Sequence, residues 1–252
     1  MKKTTKALLL TLCAVLLVAA SVMGTVAYLT ASDSVQNTFT VGKVKINLDE
    51  AKVTEDGKPV GTDRVKANNY KLIPGVTYTK DPTVTILNGS VESYVRMKVT
   101  FNNASKILDL CINPEDYEKD ENGNIIDADG TDKAFPLIFM VNFTENADMK
   151  WDGPALVSMA ETADMLKDTK YFTYDATADT FTYTFYYNEK VAAPSGDEKL
   201  PVLFDSVTLP NWVTGEQLDG LQNFQISVVA EAIQAEGFTD ADAAWEAFSK
   251  QA

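Results

Sequence analysis

Regular alternation of apolar and hydroxyl-bearing side chains is the feature that most constrains the fold of this chain. In residues 180–187, aromatic side chains and Thr mostly take alternate positions. A pleated strand turns successive side chains to opposite faces, so this pattern predicts a strand with one apolar face. Residues 224–230 repeat the pattern near the end of the chain. Residues 94–101 turn four apolar side chains to one face: Val95, Met97, Val99 and Phe101.

Three further segments have the composition and the boundaries of strands. Residues 81–87 alternate and are followed by Asn88-Gly89, a strong turn signal. Residues 137–143 are apolar on both faces, as in the central strand of a sheet. Residues 202–209 lie between two prolines, which favours a bounded strand. Together these segments predict an all-β protein built from antiparallel sheets.

Helical patterns are few and short. Residues 240–250 have an apolar face and a candidate N-cap in Thr239. A second short helix is predicted between residues 155 and 167. The length of 252 residues suits a single large β-sandwich, and no internal repeat or linker indicates a second domain. We therefore expect one β-sandwich domain over residues 28–252, with short helical insertions and a short C-terminal helix.

Residues 1–27 have the pattern of an export signal. Three lysines precede an uncharged apolar stretch at residues 7–20, which is the arrangement of a secretory signal peptide. Small residues follow, and cleavage is predicted between Ala27 and Tyr28. The alternative is an uncleaved anchor, because residues 7–29 carry no charge and are long enough to span a bilayer. We expect a protein that is secreted into the extracellular matrix or held at the cell surface.

Composition excludes several classes of function. The chain contains no His, so it cannot form a Ser-His-Asp triad, a Cys-His dyad or a zinc site built on imidazole. Its formal net charge of -14 disfavours nucleic-acid binding, which needs Lys and Arg against phosphate. We predict no enzymatic activity, no cofactor and no nucleic-acid partner. Carboxylate chemistry is the catalytic option that composition leaves open.

Cysteine content suits an exported chain without an internal disulfide. Cys13 lies in the predicted signal peptide, which leaves Cys111 alone in the mature chain. Because the neighbours of Cys111 in the sequence are apolar, we expect a buried and inert thiol.

The acidic stretch at residues 115–132 is a candidate calcium loop. It carries eight carboxylates and one Lys, and calcium prefers several carboxylate oxygens close together. However, no register places Gly at the sixth position and Glu at the twelfth, as an EF-hand loop requires. Exposed polar turns explain the same composition more simply, so we predict no metal ligand there.

A change of alternation marks the start of the predicted mature domain. Phe39 and Val41 share one parity, whereas the apolar residues within 44–48 share the other, and Gly42 lies at the change. A shift of one residue turns every side chain to the opposite face, so a bulge or a break is expected at Gly42. Residues 28–41 are therefore either the first strand of their own sandwich or a strand donated to a neighbour.

Five short blocks, in order along the chain, are similar to one family of exported bacterial proteins. They are Gly24-Thr-Val-Ala-Tyr-Leu-Thr30 with Asn37-Thr-Phe-Thr-Val-Gly-Lys43, the Pro-Gly turn and Lys-Asp-Pro strand of residues 73–84, Tyr186-Tyr-Asn188, Leu203-Phe-Asp-Ser-Val207, and Ala230-Glu-Ala-Ile-Gln-Ala-Glu-Gly-Phe238. Their order and content resemble the TasA and camelysin (CalY) family of Gram-positive bacteria, whose members carry a SipW-dependent signal peptide.

The resemblance implies a jelly-roll β-sandwich that is released by a signal peptidase of the SipW type and assembles into biofilm-matrix fibres. It further implies that the mature N-terminal segment enters a neighbouring subunit, so Phe39, Val41 and Gly42 become assembly residues. The expected partners are other copies of this chain and other matrix proteins. Camelysin relatives are sometimes labelled metalloproteases, but a zincin needs two His on one helix, and this chain has none.

A monomeric binding module at the cell surface, for example for carbohydrate or cell wall, is the alternative function. Trp151 and Trp212 would then be stacking platforms for a ligand, although Trp in a sandwich is more often part of the core. The exposure of these two rings distinguishes the two functions.

Overall fold

The computed structural model describes residues 43–111 and 132–250. The strands in these residues are β1 (Ile46–Val53), β2 (Pro59–Val65), β3 (Thr77–Thr79), β4 (Thr83–Ile86), β5 (Ser90–Asn102), β6 (Val141–Phe143), β7 (Trp151–Asp152), β8 (Phe172–Asp175), β9 (Thr180–Tyr187), β10 (Val191–Ala193), β11 (Glu198–Lys199), β12 (Phe204–Thr208) and β13 (Ile226–Gln234). The α-helices are α1 (Ala104–Cys111), α2 (Met159–Met165), α3 (Gly215–Asp219) and α4 (Ala241–Ser249). The described part of the chain is therefore mostly β with few helices, as predicted.

The largest sheet is built around β5, a strand of 13 residues. Strand β9 pairs with one edge of β5, and β13 pairs with the other. Strand β10 also pairs with β5, on the same side as β9 and beyond its end. Strands β7 and β8 pair with the side of β9 that faces away from β5. All these pairings are antiparallel, which places β13 at one side of the sheet.

Two smaller antiparallel sheets share a core with the largest one. The first has the strand order β11-β4-β1-β2, and the second has the order β3-β12-β6. One cluster of buried side chains draws on β4, β5, β9, β12 and α1. Its members include Val84, Ile86, Met97, Phe101, Ile107, Tyr183, Phe185, Phe204 and Val207. The alternating strands therefore turn their apolar faces to a common interior, which is the arrangement that the sequence pattern predicts.

Most of the predicted strands are confirmed. Strand β9 has the predicted bounds, and residues 94–101 lie within β5. The segments predicted at residues 81–87, 202–209 and 224–230 contain or overlap β4, β12 and β13. The Asn88-Gly89 turn follows β4 as expected, although β4 and β5 then enter different sheets and do not form a hairpin.

The strand predicted at residues 137–143 is wrong in its first half. Pro136–Met140 forms a π-helical turn, and strand β6 covers only Val141–Phe143. A short run that is apolar on every face does not distinguish a buried strand from a buried helical turn. Pro136 has no N–H to donate to a sheet, and the side chain of Leu137 is fully buried in the helical arrangement.

The two predicted helices are confirmed, with one correction at a cap. Helix α2 lies within residues 155–167 and begins with a capping box between Ser158 and Glu161. Helix α4 is the predicted C-terminal helix, but its N-cap is Asp240, whose carboxylate accepts a hydrogen bond from the Ala243 N–H at 2.9 Å. Thr239 was the predicted cap and precedes it. Helix α1 has no counterpart in the sequence prediction.

Candidate strand-acceptor site

Strand β13 presents a long open edge. It pairs with β5 over nine residues, from Ile226 opposite Phe101 to Gln234 opposite Ser93. No strand in residues 43–111 or 132–250 pairs with its other side. An edge strand carries a row of unpaired N–H and C=O groups, which is a template for another chain. The edge of β13 is therefore the first component of a candidate site.

The register of β13 identifies the backbone groups that face the open edge. The Asn102 N–H donates to the Gln225 carbonyl at 3.2 Å, and the Ala235 N–H donates to the Glu92 carbonyl at 2.8 Å. In an antiparallel ladder such paired residues alternate with unpaired ones, so the odd-numbered residues of β13 bond to β5. The backbone groups that point away from β5 belong to Ile226, Val228, Ala230 and Ala232.

The inner face of β13 is incompletely covered. The same four residues turn their side chains toward the core, yet each is only partly buried. On the neighbouring strand β5, the corresponding side chains are no more than 1 % exposed: Val95, Met97, Val99 and Phe101. The core is thus closed over β5 but left partly open over β13. A further apolar strand beside β13 would complete it.

A groove of about 790 Å³ runs beside the N-terminal half of β13. One wall is formed by residues 223–228, and the other by residues 48–50 of β1 and the segment at residues 66–70. Apolar side chains contribute much of the lining: Leu48, Leu72, Leu209, Leu221, Phe224, Ile226 and Val228. Polar and charged side chains form the rest of the lining, including Asp49, Lys66, Asn69 and Gln225. A groove of mixed lining along an open strand edge can hold the side chains of an added strand while the edge binds its backbone.

The groove wall opposite β13, at residues 66–70, is held in place by hydrogen bonds between side chains and backbone. The Asn68 amide accepts from the Val53 N–H at 3.0 Å and donates to the Ala51 carbonyl at 2.8 Å. The Tyr70 hydroxyl donates to the Thr79 carbonyl at 3.1 Å. These bonds attach an irregular segment to β1 and β3, so the wall is fixed without regular strand pairing.

A buried carboxylate lies in the same wall. Glu50 is 6 % exposed, and its two oxygens bond to two different nitrogens. The Lys80 Nζ lies 2.7 Å from Oε2, and the Asn68 Nδ2 lies 2.9 Å from Oε1. Burial, and then the negative charge of Glu50, raise the pKa of the adjacent Tyr70 phenol above its ordinary value. The carboxylate is therefore shielded from solvent and bonded on both oxygens.

Arg64 joins β2 to the neighbouring strands. Its guanidinium forms ion pairs with Asp49 and Asp81 and donates a hydrogen bond to the Thr83 hydroxyl at 2.8 Å. Burial lowers the pKa of Arg64, but the hydrogen bonds to Asp81 and Asp49 outweigh it, so the pKa is raised overall. Arg64 therefore stays charged and holds β2, the outer strand of the four-stranded sheet, beside β1.

Two of the three Trp rings bear on the alternative function. Trp151 is 1 % exposed, and its Nε1 donates to the Pro201 carbonyl at 3.0 Å. Trp212 is partly buried against the core, and its Nε1 donates to the Leu110 carbonyl at 2.9 Å. The proposed role of Trp151 as a stacking platform is therefore wrong, because the ring is enclosed by the protein. Trp212 likewise packs against the core.

A second groove, of about 860 Å³, lies on the outer face of the largest sheet beside α4. Hydroxyl side chains line it, including Thr100, Thr173, Thr182 and Thr184. Trp245 of α4 packs there under Arg96, whose guanidinium carbon lies 4.2 Å from the ring centroid. Arg96 also pairs with Glu231 of β13 at 2.5 Å. These contacts fasten α4 to the outer face of the largest sheet.

Several residues that the sequence singled out lie outside the described residues. They are the predicted cleavage site Ala27 and Tyr28, the segment 28–41 with Phe39 and Val41, Gly42, and the acidic stretch up to residue 131. Cys111 is described and is fully buried, as predicted, and burial raises the pKa of its thiol. Sequence reasoning predicted the strand at 224–230 but not its edge position, and it did not single out Glu50 or Asn68.

Comparison with known proteins yields no relative. No protein-family model matches the chain, and neither a curated protein nor a solved structure matches it. Within residues 43–111 and 132–250, no three or more His, Cys, Asp or Glu side chains are grouped as metal ligands. In the same residues, no helix is both long and apolar enough to cross a membrane.

Proposed function

We propose that this protein is a secreted structural subunit of extracellular biofilm-matrix fibres, and that each subunit accepts a strand from its neighbour along the open edge of β13. The observation that carries the proposal is the coincidence of an unpaired edge with a half-covered apolar face on the same residues, Ile226 to Ala232. The SipW-type signal peptide and the jelly-roll arrangement inferred from sequence resemblance belong to the same proposal.

The chemistry of the edge suits strand addition. Four residues of β13 offer both N–H and C=O outward, so a donated strand gains a ladder of main-chain hydrogen bonds that requires no particular sequence. Specificity comes from apolar side chains that enter the adjacent groove. Phe39 and Val41 are spaced to place both side chains on one face of a strand.

Donation by one end of the chain and acceptance by another surface produce a filament. The two contacts in such a pair use different surfaces, so the interface is heterologous and need not close into a ring. Gly42, at the change of alternation, provides the break between the donated strand and the subunit's own β1.

A proline on the open edge tests the proposal. Val228→Pro removes an N–H that points away from β5, and proline is tolerated on an edge strand when the lost N–H faces outward. We expect the variant to fold as a monomer and to form no fibres by electron microscopy. Val228→Ala is the matched control, because it keeps the N–H, and it should still form fibres. Normal fibres from Val228→Pro would contradict the assignment of this edge.

Deletion of residues 28–41 tests the donor. We expect a soluble monomer with a cooperative thermal transition and no fibres, since these residues are proposed to pair in another subunit. Addition of a synthetic peptide with the sequence of residues 28–41 should raise the melting temperature of that monomer by filling the groove. A truncated chain that shows no melting transition would instead assign the segment to its own core.

The outer groove beside α4 favours the second candidate, a monomeric surface-binding module. Its hydroxyl side chains and its exposed position are compatible with a sugar ligand. Sedimentation of the mature protein separates the two functions, because a binding module stays monomeric at all concentrations whereas a fibre subunit does not.

A further inference from the structure

Glu50, Asn68 and Lys80 form a reactive arrangement that fibre assembly does not require. The two oxygens of the Glu50 carboxylate accept hydrogen bonds from different groups. Oε2 accepts from the Lys80 ammonium at 2.7 Å, and Oε1 accepts from the Asn68 amide nitrogen at 2.9 Å. The amine and the amide are therefore brought together by the same buried acid. The side chains of Lys80 and Glu50 are only 11 % and 8 % exposed.

We propose that Lys80 and Asn68 join in an intramolecular isopeptide bond, between Nζ of Lys80 and Cγ of Asn68, with Glu50 carrying the protons. The bond forms within one chain and does not depend on the proposed fibre.

The reaction balances without any oxidant or added reagent. Glu50 accepts a proton from the Lys80 ammonium, and the neutral amine attacks Cγ of Asn68. Negative charge develops on Oδ1, which accepts a hydrogen bond from the Val53 N–H at 3.0 Å. A second proton passes from Nζ to the Asn68 nitrogen through Glu50. The Cγ–Nδ2 bond then breaks, and ammonia leaves and takes up the remaining proton as ammonium.

The surroundings favour the first step. The Lys80 Nζ and the Glu50 Oε2 lie 2.7 Å apart and are largely shielded from solvent, so the proton passes directly from the ammonium to the carboxylate. All three reacting side chains line the groove beside β13, which gives ammonia a path to solvent.

The ordinary interpretation is a buried ion pair with a hydrogen-bonded amide. Asn68 already bonds to the backbone of β1, so it has a structural role without any reaction. The two interpretations differ in covalent structure, because only the reaction joins residues 68 and 80 and releases ammonia. Mass spectrometry therefore decides between them.

The test uses protein expressed from the full-length sequence, purified in folded form, denatured and digested with trypsin. Trypsin cleaves after Lys and Arg, so an unlinked chain yields the separate peptides 67–71, 72–80 and 81–96. The proposal predicts that cleavage after Lys80 is blocked and that peptide 67–71 is joined to peptide 72–96. The joined species should be lighter than its two components by the elements of one ammonia molecule.

Three variants assign the roles. Glu50→Gln keeps both reacting groups and should yield only unlinked peptides, and Lys80→Arg should do the same. Lys66→Arg is the matched control, because Lys66 contacts the same wall through the Leu48 carbonyl but does not bond to Glu50, and it should leave the link intact.

Free peptides 72–80 and 81–96 from the wild-type protein would overturn the proposal, whatever the variants do. Loss of ammonia from an unlinked peptide 67–71 would also overturn it, since that result means cyclisation of Asn68 on its own backbone. Linkage in Glu50→Gln as complete as in the wild type would overturn the role assigned to Glu50.

Discussion

The two outer strands β2 and β13 are both edges, but they differ in how they meet solvent. Strand β2 pairs only with β1 in the described part of the chain, and six of its seven residues are exposed. It contains Pro59, Asp63 and Arg64, and Arg64 folds back to bond Asp49 and Asp81. Strand β13 carries no proline, and apolar residues turn toward the core from Ile226 to Ala232.

The difference bears on the proposal that β13 accepts a strand. Proline and charged side chains on an edge strand prevent pairing with another chain. By that criterion β2 is a protected edge. Strand β13 lacks these features on its groove side, and within the described residues its partly buried apolar side chains lie beside unpaired backbone groups. Covering this apolar surface with a further strand would be favourable. The comparison therefore supports β13, and not β2, as the proposed acceptor edge.

Substituting Asp for an apolar residue on each edge strand tests the comparison directly. The substitution on β13 should have the largest effect on fibre growth. Ile226→Asp puts an unpaired charge where a donated strand would bury it, at a cost of roughly 4 kcal/mol, and should abolish fibres. Val60→Asp, at an exposed apolar position of β2, should leave fibre growth unchanged. Fibre yield by electron microscopy is the readout, and thermal melting of the monomers confirms folding. The opposite outcome would make β2 the acceptor.

Loss of the proposed link in the wall opposite β13 should give the next largest effect. Lys80→Arg keeps a cation beside Glu50 but cannot form the isopeptide bond. Because the bond closes a loop of roughly a dozen residues, its loss should lower the free energy of unfolding by about 3 kcal/mol. Denaturant unfolding of the wild type, Lys80→Arg and Lys66→Arg measures this. Equal midpoints for all three would mean that the wall is held by non-covalent contacts alone.

The smallest expected effect is a difference in stability between two alanine substitutions in the β1–β2 hairpin, at Gly57 and at Gly61. Gly57 and Gly61 both have positive φ, at 73° and 63°, so Ala at either costs about 1 kcal/mol. A Cβ at Gly57 would also lie 2.6 Å from the Tyr78 Cα, whereas nothing lies within 4 Å at Gly61. Gly57→Ala should therefore be about 2 kcal/mol worse than Gly61→Ala in thermal unfolding. Equal losses would show that Tyr78 moves aside freely.

Local pattern predicted many of the elements, and the exceptions have physical causes. Alternation in residues 180–187 reproduced β9 because a strand with one buried face must alternate. The run at residues 137–143 was misassigned because it is apolar throughout, and burial on every face leaves no periodicity to read. The predicted cap Thr239 is one residue early because Thr and Asp both cap helices, so residue type alone does not locate the first turn.

The sequence predicts the candidate site less well than it predicts the strands. Residues 224–230 were predicted as a strand, but the order of strands in a sheet depends on partners that are distant in the chain. Strand β5 pairs with residues more than a hundred positions away, so the edge position of β13 is not encoded in its own pattern. The donor residues Phe39 and Val41 remain a prediction.

The sequence by itself determined that the chain is mostly β, which faces of its strands are apolar, and that imidazole chemistry is absent. These properties follow from side-chain type and from a period of two residues, both of which are local. Only the tertiary structure decided which strand is left at an edge and which polar groups meet. Glu50, Asn68 and Lys80 converge because β1, an irregular wall segment and the end of β3 pack together. Such convergence depends on long-range packing, which no single segment specifies.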